Sequence, residues 1–181
     1  MGAFTGNQIV HSEQFQNWKH DEGFRSNREV RANHYRQANQ QLNALSVKAN
    51  DRTPMMVGAR PIQGIGAGHE YAAAPNSNRF EMGPLLRQGR PIVTSNTTDI
   101  SAWPTATTTQ NAIAAGLGNQ VNVSVNGAFF PDSMALYEAY FGGQPYQWYS
   151  YNSNFAVNSV IYGAGGPEVK NLGYAPGFPD N

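Results

Sequence analysis

A chain of 181 residues with 40% hydrophobic content is long enough for one well-cored domain plus an appendage and too short for two full-sized domains. Twelve basic residues balance twelve acidic ones, so no global field draws the chain to nucleic acid or to an anionic membrane surface. The absence of cysteine excludes disulfides, thiolate catalysis and Cys-based zinc sites.

The first residues, "MGAFTGNQIVHSEQ", lack a basic region followed by an apolar run of about 7 to 15 residues, so no cleavable secretory signal is expected. No window reaches the roughly 18 apolar residues of a membrane span. Charge is uneven: residues 1–60 hold eight Lys/Arg against five Asp/Glu, and residues 61–181 hold four against seven. The texture changes near Pro54, which divides the chain into a helical segment, residues 1–54, and an α+β domain, residues 55–181.

In the first segment Phe15, Trp18, Val30, Tyr35, Leu42 and Leu45 recur at loose helical intervals, with a break expected at Gly23. The apolar stripe is thin, so the segment is expected to pack onto the α+β domain or a partner. Arg25, Arg28, Arg31 and Arg36 read as a solvated helix face, since Glu22 and Glu29 interrupt them and no aromatic platform interleaves. No specific nucleic-acid partner is expected.

From Met55 the chain turns to short apolar runs between Gly, Pro and Asn: "MMVGARPI", "HEYAAAP", "RFEMGPLL", "PIVTS" and "NQVNVSV". These lengths suit strands, the last alternating at period two. "PNSNR" is a turn cluster, making His69 to Pro84 a hairpin. "TTTQNAIAAGLG" reads as a short helix ended by glycine. "PDSMALYEAYFGG" is a clearer one, with Pro131 to Ser133 as its start signal and Gly142 and Gly143 as its stop. A last helix begins at Asn152 to Asn154, carries Phe155, Val157, Val160 and Ile161, and stops at Gly163 to Gly166. The class is α+β: helices, a small antiparallel sheet, then helices.

Four histidines occur, at 11, 20, 34 and 69, and none pairs at the spacing of three or four that puts two ligands on one helix face. Neither a metal site nor a cofactor is expected. Ser153 opens the last helix, where backbone N–H groups and the macrodipole favour a developing oxyanion. That position equally suits a plain N-cap, which local sequence alone favours. A serine nucleophile needs a base, and His69 is the one histidine outside the N-terminal segment. Glu81 and Glu70 are both near enough in sequence to orient it. Neighbouring strand residues face opposite sides, so Glu81, across the hairpin, is the better orienter.

The order of "GAGHEY", "FEMGP", an Asn-Ser-Asn-Phe helix start, Ala-Gly-Gly and a closing Pro-Gly-Phe resembles the circularly permuted papain-like hydrolases. These are the NlpC-type relatives, including the lecithin-retinol acyltransferase group and many toxin domains of secreted effectors. The resemblance spans residues 58–178. It implies a permuted papain-like fold, with His69 as base, Ser153 in the position of the family's cysteine, and Glu81 as polar third member. Serine there gains less from the helix N-terminus than a thiol does, so either a serine hydrolase or a degenerate binding domain is implied. Trp148, Tyr149, Tyr151, Asn152 and Asn154 would line the substrate groove, beside Tyr140, Phe141 and Tyr146, although crowded aromatics also serve as core. The expected activity is hydrolysis of an amide or ester by an antibacterial or host-directed effector, secreted without a cleavable signal through a dedicated apparatus. Peptidoglycan or lipid would be the substrate, and a cognate immunity protein a partner. The competing expectation is an inert binding or structural module of a larger secreted or viral assembly.

Overall fold

The computed structural model describes residues 28–61, 68–73, 79–87, 90–96, 119–142, 144 and 153–169, with side chains at 28–59, 70, 72, 119–142, 144 and 154–169. Expectations for the helix in 107–118, for Gly23, and for Trp148, Tyr149, Tyr151 and Asn152 lie outside the described residues. The order of elements is helix α1 (Arg28–Lys48), strands β1 (Thr53–Pro61), β2 (Gly68–Ala73), β3 (Arg79–Arg87), β4 (Arg90–Asn96) and β5 (Asn119–Val125), then helices α2 (Phe130–Phe141) and α3 (Ser153–Gly163). The class is α+β, with a sheet ordered β4-β3-β2-β1-β5 and antiparallel at every junction. The hairpin between His69 and Pro84 is present, pairing Ala72 with Phe80 and Ala73 with Arg79.

Strand β1 sits inside the sheet, flanked by β2 and β5. Its alternate residues Met55, Val57 and Ala59 are buried, as a pleated strand with one face on a helical layer requires. Strand β5 differs from the expected even alternation: Val125 is buried, Val123 half-buried and Val121 38% exposed. It is an edge strand, and only its C-terminal end lies over the core.

Helix α1 packs against α2 and α3 and shares one core with them. Ala32, Tyr35, Ala38 and Leu42, spaced three or four apart, are its buried apolar face. Tyr35 is the hub of an aromatic cluster, its ring centroid 5.6 Å from Tyr137, 5.6 Å from Tyr140 and 5.0 Å from Phe141 in edge-on geometry. Tyr140 and Phe141 are therefore core residues. Burial holds the phenol of Tyr35 well above its ordinary range, so it stays neutral. Arg31 departs from the expected solvated face and is only 7% exposed, because α1 turns that side toward the interior.

Polar side chains lace α1 to the C-terminal end of α3. Asn39 Nδ2 donates to the Ser159 carbonyl at 2.9 Å, Asn43 Nδ2 to the Tyr162 carbonyl at 2.7 Å, and Ser46 Oγ to the Gly163 carbonyl at 3.0 Å. The last carbonyls of a helix run short of backbone donors, and at Gly163 the Ser46 hydroxyl of the neighbouring helix supplies one. Ser133, read from the sequence as part of the start signal of α2, instead donates its hydroxyl to the Val160 carbonyl at 2.8 Å, while Pro131 does occupy the first turn. A Cβ at Gly163 would collide with Asn39 Oδ1 and Ser133 Oγ, so the absence of a side chain permits the close approach. Helix α3 ends in a Schellman motif: Gly165 has φ +75°, the Gly166 N–H bonds the Ile161 carbonyl and the Gly165 N–H bonds the Tyr162 carbonyl, each at 2.9 Å.

Candidate functional site

Helix α3 docks on β2 and β3, and its first turns bond to β2. Its first residue is Ser153, as the sequence led one to expect, and β2 carries His69 near its start. The ladder between β2 and β3 covers only two residue pairs, so β2 has no β3 partner at 68 to 71 in that register. Asn154 uses the opening. Its Oδ1 accepts the Glu70 backbone N–H at 3.1 Å, replacing the carbonyl that a neighbouring strand would have supplied. One hydrogen bond thus joins the residue after His69 to the residue after Ser153.

Glu70 and Ala72 occupy the face of β2 buried beneath the helices, and Glu70 is 1% exposed. Its Oε2 accepts from Asn158 Nδ2 at 2.9 Å. The same Nδ2 donates to the Asn154 carbonyl at 2.9 Å, and Asn158 Oδ1 accepts the Val169 N–H at 3.1 Å. That last bond fixes the amide orientation, because only oxygen can accept from Val169, and so the nitrogen must face Glu70. Burial pushes the Glu70 carboxyl up to about 8, with the Asn158 hydrogen bond opposing the shift. The acid is therefore mostly neutral at pH 7. Its other oxygen, Oε1, is buried without a hydrogen-bond partner.

Glu81 lies in β3 opposite Asn96 of β4. The side chains of Ser153, His69 and Glu81 lie outside the described residues. Asn154, expected to line a groove, is buried with its amide oxygen on Glu70.

Sequence reasoning missed the Glu70 and Asn158 pair. The available signal was Asn154 and Asn158 four residues apart inside an otherwise apolar helix, hence on one face with the core. Among the described residues no three His, Asp or Glu side chains converge as metal ligands, and no helix is long and apolar enough to cross a membrane. The chain matches no protein family, no curated protein and no solved structure.

Proposed function

We propose that this chain is an acyl-group hydrolase of permuted papain-like design, acting on an amide or ester as a secreted antibacterial or host-directed effector. Ser153 Oγ attacks the carbonyl carbon while His69 takes its proton. The tetrahedral oxyanion is met by the backbone N–H groups at the start of α3. The C–N or C–O bond then breaks, His69 returns the proton to the leaving group, and water releases the acyl chain by the same route. Glu81 orients the imidazole, and Trp148, Tyr149, Tyr151 and Asn152 flank the substrate, a peptidoglycan peptide or a lipid ester. A cognate immunity protein protects the producing cell, and a secretion apparatus exports the chain.

The observation that carries this reading is the Glu70 to Asn154 hydrogen bond, which ties the His69 strand to the Ser153 helix at the stretch of β2 without a β3 partner. A second reading, the inert binding or structural module, is favoured by strand alternation. Glu70 is buried beneath α3, and successive strand residues alternate between the two faces of a sheet, which does not favour the residue before it on the helix side. A fluorophosphonate separates the two, because it phosphonylates an activated serine with loss of fluoride. The hydrolase gives an adduct mapped by mass spectrometry to Ser153, absent in Ser153→Ala and slowed about 10²-fold or more in His69→Ala. A folded chain that takes no adduct is the inert module.

A further inference from the structure

The proposed hydrolytic mechanism leaves unused the one carboxylate that is buried among the described residues. Glu70 sits at the strand and helix junction with two separate holds on α3. Its backbone N–H bonds Asn154 and its side chain bonds Asn158, one helical turn further on. Two attachments one turn apart on the same face fix both the rotation and the axial position of a helix, which a single contact does not. Asn158 cannot swing away, because Asn154 and Val169 hold both ends of its amide. A buried carboxyl with an unpartnered oxygen costs stability that an apolar side chain of similar volume would not. What the carboxyl supplies in return is direction, which an apolar side chain lacks.

We propose that Glu70 is a positioning residue for the Ser153 and His69 site, gripping the first turns of α3 so that the helix start is held in register against the open stretch of β2. The inference rests on the hydrolase reading. Glu70 touches no substrate; it acts through Asn154 and Asn158. The grip requires an acceptor at Oε2 and not a negative charge, so a side-chain amide can replace it.

The test uses the full chain, the same fluorophosphonate, and labelling rates at Ser153 corrected for the folded fraction. Glu70→Gln keeps an oxygen for Asn158 and is expected to label at close to the wild-type rate. Glu70→Met fills the volume without gripping; it is expected to stay folded and to label about 10²-fold more slowly, the loss that a misplacement of about 1 Å produces. Hydrogen exchange at the amides of 154–158 accelerates in Glu70→Met while that of α1 and α2 does not. If Glu70→Met fails to fold, Asn154→Ala loosens the backbone hold alone and is expected to slow labelling in the same way. A Glu70→Met or, in its place, Asn154→Ala protein that labels at the wild-type rate overturns the role of Glu70 and leaves the hydrolase intact. So does a Glu70→Gln protein as slow as Glu70→Met, since the grip then is not what matters. A wild-type protein that takes no adduct overturns the hydrolase reading itself, and Glu70 is then a residue of the fold.

Discussion

The two ends of α3 are held by different chemistry. At the C-terminal end, Asn39, Asn43, Ser46 and Ser133 present neutral amides and hydroxyls to helix carbonyls, with Arg52 reaching the Gly165 carbonyl at the exposed rim. Each buried bond there connects a neutral donor to a carbonyl of the last two turns, and at Gly163 the Ser46 hydroxyl supplies a donor from outside the helix. At the N-terminal end the buried group is ionisable, and each end leaves one buried oxygen without a partner, Glu70 Oε1 here and Asn39 Oδ1 there. The first arrangement is what a fold needs to end a helix. The second buries an ionisable group, which costs the fold something, and buried ionisable groups of that kind mark places where position matters more than stability.

The largest expected effect that sharpens this contrast is a pH dependence confined to the N-terminal end. The Glu70 carboxyl is raised from 4.5 to about 8, so the folded chain retains a proton that the unfolded chain has released across that interval. Stability is therefore full below the unfolded value, falls as pH rises through the window from about 5 to 8, and levels off above it, a loss of at most about 5 kcal/mol from this group. Urea unfolding across that range is expected to show the decline in the wild type and a flattened profile in Glu70→Gln. A wild-type profile that rises from pH 5 to 8 breaks the contrast.

At the other end the effects are independent of pH. Gly163→Ala forces a methyl group into Asn39 and Ser133 and is expected to cost about 1–3 kcal/mol in denaturant unfolding. Ser46→Ala leaves the buried Gly163 carbonyl without its donor, at about 1–2 kcal/mol. Gly165→Ala puts a side chain at φ +75°, at roughly 1 kcal/mol. None of the three is expected to alter the rate at which folded protein labels at Ser153. If Ser46→Ala slows labelling as strongly as Glu70→Met, the two ends of α3 are not functionally distinct.

The sequence exposed the features written in local patterns. Glycines and turn clusters mark the limits of β2, β3 and α3, and the apolar spacing of Met134, Leu136, Tyr137 and Phe141 marks α2, all four being buried. What escaped was long-range. The graded burial of β5 follows from its place at the sheet edge, and the burial of Arg31 from the way α1 is turned, neither of which a local window encodes. Asn39, Asn43 and Ser46 look like ordinary surface polar residues until a helix more than a hundred residues away is seen to need donors. Glu70 reads as an ordinary strand carboxyl, yet it is buried beneath α3. The ladder that stops after two pairs, and so turns its N–H toward a helix, has no counterpart in composition or spacing.

The lacing of α1 to α3 also sets a timetable. The partners Asn39 and Ser159 stand 120 residues apart, Asn43 and Tyr162 119, and Ser46 and Gly163 117. Helix α1 is synthesised before α3 and finds the carbonyls it bonds only once Ser159, Tyr162 and Gly163 have been made. Contacts of such separation close late and at the full entropic cost of the intervening loop. A chain that has not yet reached Ser159 therefore holds α1 without its partner, while the Glu70 bonds to the start of α3 span only 84 and 88 residues and close the shorter loop.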